Sequence, residues 1–204
     1  MATTRPGDER RRAILERAMK LATVEGLEGI SLGGLATALG MTKSGVQSLF
    51  GTKQDLQLAI VATAREGFET KVLRPAQRAD DGLPRLRALL GEWIDYLDEV
   101  EGGCFFFTVA TEFDGREGPV RDAIADLAVQ GFDALRRQIG LACRLGELDP
   151  GTDVEQLLFD LHAVVLQANY ARSLLEYPDA YDRARHAIRE RLDRARSTAV
   201  PPRS

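Results

Sequence analysis

The sequence predicts an all-α protein of about nine helices, with a small N-terminal helical unit followed by a larger helical body. Apolar residues recur at steps of three and four along almost the whole chain, which is the period of an amphipathic helix. The alternation of apolar and polar residues that marks a half-buried strand does not occur. The 204 residues are 44% hydrophobic, so the chain can bury a substantial core.

A small unit of three helices comes first along the chain. We predict the first over residues 8–26 and the second over 32–39, where Ser31 is a good N-cap. A third helix is expected to begin after Thr42, a second good N-cap, and to end near Gly51. These three helices and the residues up to 53 form the predicted first domain, and residues 54–204 form the second.

A long fourth helix should connect the two predicted domains. Its start signal is Thr52 followed three residues later by Asp55, a weak variant of the capping box. We expect this helix to continue to about residue 78 and to bend near Pro75, which lacks the backbone N–H that a helix interior needs. Asp-Asp-Gly at residues 80–82 then breaks the pattern.

The body continues as five further predicted helices. In order, they cover residues 84–100, 104–113, 118–145, 152–176 and from 179 onward. We predict that Thr152 caps the eighth helix, with Glu155 in the capping-box position. The last residues, 197–204, have a composition typical of a disordered tail.

Charge is distributed unevenly along the chain, although its net value is −4. Residues 1–53 carry eight basic and five acidic side chains, a net charge of +3, whereas the remainder carries −7. A basic N-terminal unit on an acidic body is typical of a module that binds phosphates, and chance segregation is the alternative explanation.

The second and third predicted helices have the pattern of a helix-turn-helix motif, in which the second helix enters the DNA major groove. Val46 and Phe50, four residues apart, would anchor that helix to the core. Glycines within these short helices either let the backbone approach DNA closely or allow close packing. The predicted DNA-binding residues are Ser31, Gly33, Thr42, Lys43, Ser44, Gly45, Gln47, Ser48 and Lys53.

The stretch SLGGLATALGMTKSGVQSLFGTKQDLQLAIV, residues 31–61, resembles the tetracycline-repressor (TetR) family of transcriptional regulators. The resemblance covers about the first 60 residues well, and the segment GGCFFFTVATEFDGREGPVRD at 102–122 resembles a C-terminal pattern of one branch of the family. It departs from the family at Gln47, where a tyrosine is usual, at Leu49, where an aromatic residue is common, and at Gly33, where some members carry a base-contacting arginine. We therefore expect Gln47 and Leu49 to influence the choice of operator.

The resemblance implies a small-molecule pocket within helices five to eight, and a homodimer formed by the last two long helices. Apolar walls with a few polar groups are the usual composition of such pockets. The aromatic candidates are Trp93, Phe107 and Phe132, and for each of them ordinary core is the simpler explanation. His162 could likewise be a hydrogen-bonded core histidine rather than a ligand contact. The predicted pocket residues are Trp93, Leu97, Phe107, Thr111, Phe132, His162 and Asn169.

Several kinds of chemistry find little support in the sequence. Cys104, Cys143, His162 and His186 are scattered, so we expect no metal site, no cofactor and no enzymatic activity. A Cys104–His162 nucleophile pair and oxidation sensing by either cysteine remain open, and a cysteine buried as a small hydrophobe is the simpler explanation. The N-terminus lacks the apolar segment of a signal peptide, and no apolar run is long enough to span a bilayer. We expect a cytoplasmic protein.

The predicted function is a ligand-responsive transcriptional regulator, most simply a repressor. It would bind a palindromic operator in double-stranded DNA as a homodimer and be released by an unidentified small molecule. The alternative is a helical ligand-binding or partner-binding protein whose DNA-binding unit is degenerate.

Overall fold

A computed structural model describes residues 6–100 and 103–196, and these fold almost entirely as α-helices. Within these residues no β-strand forms, and one isolated antiparallel bridge joins Leu148 to Arg196. The all-α prediction is confirmed. The predicted disordered tail, 197–204, lies outside the described residues. The helices are α1 (Pro6–Glu25), α2 (Leu32–Ala38), α3 (Lys43–Phe50), α4 (Lys53–Phe68), α5 (Leu83–Glu99), α6 (Phe105–Phe113), α7 (Pro119–Arg144), α8 (Val154–Ser173) and α9 (Ala180–Arg194).

The predicted irregularity in the fourth helix takes the form of a π-helical turn. Helix α4 is followed directly by this turn, Glu69–Leu73, and by a short α-helical turn, Arg74–Ala76. The π-helical turn lies just before Pro75, which cannot donate a backbone hydrogen bond. Counted with these turns, α4 is one of nine helices in the described part of the chain.

The helix start signals are correct at α4 and wrong by one residue at α8. At α4 the capping box is reciprocal, because Thr52 N–H donates to Asp55 Oδ2 at 2.9 Å and Asp55 N–H donates to Thr52 Oγ1 at 3.1 Å. At α8 the N-cap is Asp153 rather than Thr152, since the Asp153 carboxylate accepts the Gln156 N–H at 3.0 Å. Carboxylates and hydroxyls both cap well, so two adjacent candidates cannot be separated by residue type.

The described residues form two compact units. Unit 1 combines the chain up to Phe68 with Cys104–Ala128, and unit 2 contains the described residues from Glu69 to Gly103 and those from Val129 onward. The core of unit 1 contains residues from α1 to α4 and also five from α6 and α7. Those five are Phe105, Val109, Phe113, Val120 and Ile124.

Unit 2 is built around α5, the later part of α7, α8 and α9. Its fully buried side chains include Leu86, Leu90, Ile139, Leu157 and Leu161. These packing units are not divided at residue 53. The predicted division there is one of function, and it stays a prediction.

Candidate DNA-binding surface and effector site

Helix α3 is attached to unit 1 by one apolar side. Val46 is fully buried and Phe50 is 5% exposed, as their spacing of four residues predicts. The Arg11 guanidinium lies 5.1 Å from the centre of the Phe50 ring, which places a cation from α1 over the last residue of α3. The anchoring role predicted for Val46 and Phe50 is confirmed.

A tight turn joins α2 to α3. Gly40 has φ = 60°, a left-handed conformation that favours glycine, and the Met41 N–H donates to the Ala36 carbonyl at 2.9 Å. Leu35 and Ala36 of α2 are buried in the same core as Val46. The two helices and this turn make the helix-turn-helix motif that the sequence predicts.

The predicted caps of α2 and α3 are confirmed and are built alike. Ser31 Oγ accepts the Gly34 N–H at 3.0 Å, and Thr42 Oγ1 accepts the Gly45 N–H at 3.1 Å. Each hydroxyl satisfies one of the N–H groups that a helix leaves open at its first turn. The side chains of both caps are exposed.

The glycines of this motif differ in their surroundings. A Cβ added at Gly45 would lie 3.1 Å from Thr42 Oγ1, so glycine leaves room for the cap at that position. At Gly33, nothing lies within 4 Å of an added Cβ. Packing within the chain therefore gives no reason for a glycine at position 33, which favours the interpretation that an external backbone approaches there.

Four side chains on α3 form an exposed polar surface, which we call the recognition surface. Leu49 is half-buried and packs against the core of unit 1, so its side chain is a packing residue. Of the two departures on α3, Gln47 is therefore the one whose side chain is available for contact. The recognition surface consists of Lys43, Ser44, Gln47 and Ser48.

Lys53 forms an ion pair with Glu28. Its ammonium donates to the Glu28 carbonyl at 2.7 Å and to the Glu28 carboxylate at 2.8 Å. The hydrogen bond from Lys53 lowers the pKa of Glu28 below its usual range, and a second hydrogen bond from the Gln57 amide lowers it further. Phosphate binding by Lys53 stays a prediction, but the structure assigns this side chain an intramolecular role that the sequence did not indicate.

Three of the predicted effector residues meet in unit 2. The His162 ring lies 4.9 Å from the Phe132 ring and 5.9 Å from the Trp93 ring, measured between centroids. All three residues are half-buried. Burial lowers the pKa of His162, because it disfavours the charged imidazolium. This aromatic cluster can offer a ligand flat apolar surfaces and a neutral imidazole at pH 7.

The other four predicted effector residues are not gathered in one place. Leu97 is buried, and its carbonyl accepts the Tyr181 hydroxyl at 3.2 Å. Asn169 is half-buried near Gly103 in unit 2. Phe107 and Thr111 belong to unit 1, where the exposed Thr111 hydroxyl donates to the Phe107 carbonyl at 3.0 Å.

Unit 2 also contains a cavity that the sequence did not predict. It has a volume of about 310 Å³ and lies near the C-terminal ends of α5 and α8. Leu97 is the single predicted residue among those lining it, and the lining also includes Asp98, Glu99, Arg172 and Ser173. Charged residues at helix ends are ordinary surface features in a sequence, so no pattern marked them as neighbours.

Cys104 does not have the properties of a reactive thiol. It is fully buried, and burial raises the pKa of its thiol to about 11. The thiolate is the reactive form of cysteine, so this environment favours the structural role over nucleophilic or redox chemistry. Among the described residues no group of three potential ligands is placed to hold a metal ion, and no described helix is long and apolar enough to cross a membrane.

An all-α chain that presents a capped helix-turn-helix with an exposed polar face is typical of helical DNA-binding regulators. Comparison with known families makes this specific. Residues 82–188, more than half of the chain, match the model of the tetracyclin repressor-like C-terminal domain. The chain belongs to the TetR family of transcriptional regulators.

Solved structures agree with this assignment. A TetR regulator from Chloroflexus aurantiacus aligns with a TM-score of 0.82 and 22% identity over 91% of this chain and 96% of that one. One from Cytophaga hutchinsonii aligns with a TM-score of 0.81 and 18% identity over 97% and 100%. AibR, solved in complex with isovaleryl coenzyme A and operator DNA, has a TM-score of 0.71 and 26% identity over 88% and 95%. No curated protein sequence matches significantly.

Proposed function

We propose that this TetR-family chain is a homodimeric repressor that binds a palindromic operator and is released by a small molecule. Each protomer would place α3 in a major groove, with the N-terminal end of the helix toward the bases. The two half-sites would then be centred about one helical turn apart, or slightly more. Such a protein would act in the cytoplasm.

The recognition surface is the observation that carries this proposal. Its side chains are small or polar and exposed, while the opposite side of α3 is held by Val46 and Phe50. Gln47 can bind adenine through two amide hydrogen bonds, and Lys43 and the Ser44 hydroxyl can bind phosphate oxygens. The exposed caps and the open space at Gly33 would let the DNA backbone approach both helices.

An apolar stripe on α8 supports the homodimer. Three residues of α8, Phe159, Leu166 and Tyr170, and its C-cap Leu174 are spaced by seven, four and four residues, so they lie along one face. They are 68%, 44%, 47% and 65% exposed in the single chain. A contiguous apolar row of this kind marks a surface that another protein covers. A second copy of the same helix would bury it symmetrically.

The aromatic cluster of Trp93, Phe132 and His162 supports an effector site in unit 2. AibR was solved with both a coenzyme A thioester and operator DNA, so a relative with this fold carries both kinds of ligand. The effector of the present chain would act by binding more tightly to the conformation whose two recognition helices are wrongly spaced for the operator.

A direct test begins with selection of duplexes from a random library by the purified protein. Fluorescence anisotropy then measures affinity for the selected duplex and for a scrambled duplex over a series of salt concentrations. We expect an inverted repeat and an affinity at least about a thousandfold higher than for scrambled DNA. Equal affinity for both duplexes at all salt concentrations would refute operator recognition and favour the ligand-binding alternative.

The effector is sought by a thermal-shift screen of small molecules. A compound that raises the melting temperature binds the folded protein, and it is the effector if it also lowers operator affinity, which requires a preference for one of the two folded conformations. Replacing Trp93 by alanine should abolish the response to that compound. A response that survives in this variant would place the effector elsewhere.

A further inference from the structure

The segment at residues 104–122 has a role that the proposed function does not use. Its apolar residues Phe105, Val109 and Phe113 belong to the core of unit 1 together with residues from α1 to α4. Between them lies Glu112, whose side chain is half-buried at the end of α6. A carboxylate in such a position needs hydrogen-bond donors.

The donors are two consecutive backbone amides in the turn between α1 and α2. Leu27 N–H donates to Glu112 Oε2 at 2.7 Å, and Glu28 N–H donates to Glu112 Oε1 at 2.9 Å. Each carboxylate oxygen therefore holds one amide of a turn that is more than eighty residues away in sequence. Hydrogen bonds to a charged acceptor are among the strongest in proteins.

The turn is shaped to receive this carboxylate. Gly26, which precedes the two amides, has φ = 82°, and a Cβ there would lie 2.8 Å from Glu112 Oε1. Any side chain at position 26 would be strained by the backbone conformation and would collide with the carboxylate. Gly26 and Glu112 are thus matched to each other.

The same turn is connected to both ends of the helix-turn-helix motif. Ser31, the cap of α2, follows Glu28 by three residues. The Glu28 carboxylate accepts hydrogen bonds from Lys53, which begins α4 just after α3 ends, and from Gln57 at 3.2 Å. The Arg116 guanidinium lies 3.6 Å from the same carboxylate. The turn therefore joins α6 to the start of α2 and to the start of α4, which follows α3 directly.

We propose that Glu112 is a positioning residue for DNA recognition, because its carboxylate fixes the α1–α2 turn and thereby the orientation of α3. This inference rests on the proposed function for its consequence on DNA affinity, and on the contacts within unit 1 for its mechanism. Glu112 itself would touch no DNA. Its loss would move the recognition surface without removing any side chain from it.

The test compares Glu112→Gln and the milder Glu112→Asp with Asp114→Asn, a change at an exposed acid in the same segment. Glutamine has the shape of glutamate, but it places an NH₂ group against one of the two backbone amides. Hydrogen exchange followed by NMR should show faster exchange at Leu27 and Glu28 and throughout α3, with α5 and α8 unchanged. Faster exchange confined to residues 27 and 28, or spread equally over both units, would overturn the proposal.

DNA binding supplies the second measurement. The ratio of affinities for the selected operator and for scrambled duplex should fall about tenfold or more in Glu112→Gln, with scrambled-duplex affinity unchanged. An unchanged ratio would overturn the proposal. If the wild-type protein binds no duplex specifically, the proposed function fails, while the exchange experiment still decides whether Glu112 positions α3.

A double-mutant cycle tests the match between the two residues. Gly26→Ala should accelerate α3 exchange strongly in the wild-type background and less in the Glu112→Ala background, where the collision is removed. Additive effects of the two substitutions would show that Glu112 and Gly26 act independently and would overturn the proposal.

Discussion

Helices α3 and α8 each leave one face uncovered by the chain, and the two faces have opposite chemistry. The exposed face of α3 is small and polar and begins at an N-cap. The exposed face of α8 is a row of large apolar side chains that extends along the helix to its C-cap. Polar hydrogen-bonding groups suit the phosphates and base edges of DNA, whereas an apolar row is stabilised by removal from water.

The two faces meet two different requirements of the proposed regulator. The α3 surface would determine which DNA is bound, and the α8 surface would determine that two copies bind together. Changes on α8 should therefore have larger effects on operator affinity than changes on α3, because separating the protomers removes a whole half-site contact at once.

The largest effect is expected from charges placed in the apolar stripe. In the double variant Leu166→Glu, Tyr170→Glu, four carboxylates would face each other across the proposed dimer interface. Light scattering should give the 22.4 kDa mass of a single chain in place of twice that value. Operator affinity should fall by roughly a thousandfold or more.

A matched control is Leu145→Glu, which charges a residue that is 60% exposed but lies outside the stripe. It should leave both the mass and the affinity unchanged. If the double variant also keeps the mass of the wild type, the stripe is not the dimer interface.

The second effect concerns Gln47. Gln47→Ala should cost roughly 1–3 kcal/mol in operator binding if the amide contacts a base, and it should relax sequence preference at one position in each half-site. Anisotropy titrations with operators substituted at single positions measure both quantities. Gln130→Ala, at an exposed glutamine on α7, serves as the control. Equal losses on operator and scrambled DNA would make Gln47 a phosphate contact.

A smaller effect is expected at the cap of α3. Thr42→Ala removes the oxygen that accepts the Gly45 N–H, at a cost of about 1 kcal/mol in the free energy of unfolding. Thr42→Ser keeps this oxygen and should keep most of the stability. Urea denaturation compares the two variants with the wild type, and an equal loss in both would mean that the threonine methyl group, rather than the cap, matters.

The smallest effect should appear in the pH dependence of the stability of unit 2. The pKa of His162 is lowered in the folded chain, so the unfolded chain takes up a proton first as the pH falls. The contribution of His162 to the free energy of unfolding is therefore fully present above about pH 6.5 and decreases as the pH falls below that value. His162→Phe should reduce the pH dependence of urea midpoints measured between pH 5.5 and 7.5, and an unchanged pH dependence would contradict this assignment.

Local patterns were sufficient for much of the fold. The period of apolar residues predicts the helices, and small polar residues predict the caps of α2, α3 and α4, because these signals act within a few residues of each other. Helix α8 shows the limit, since Thr152 and Asp153 are both good caps and Asp153 is used.

Contacts between distant segments were not predictable in this way. The packing of Phe105, Val109 and Phe113 with α1 to α4 depends on tertiary structure, as does the bond between Lys53 and Glu28. A lysine at a helix start has the same sequence pattern whether it binds phosphate or a carboxylate. Among the residues predicted for the effector site, Trp93, Phe132 and His162 are neighbouring rings, whereas Phe107 and Thr111 belong to the other unit, which composition alone could not show. Their role in effector binding stays a prediction.

The open space around Gly33 has a consequence for how this regulator can diverge. Evolution usually changes a binding specificity at some expense in stability. At position 33 an added Cβ would have no atom of the protein within 4 Å, and almost any residue favours a helix more than glycine does. A substitution at this position would therefore act on the proposed contact with the DNA backbone and leave the core of unit 1 unchanged.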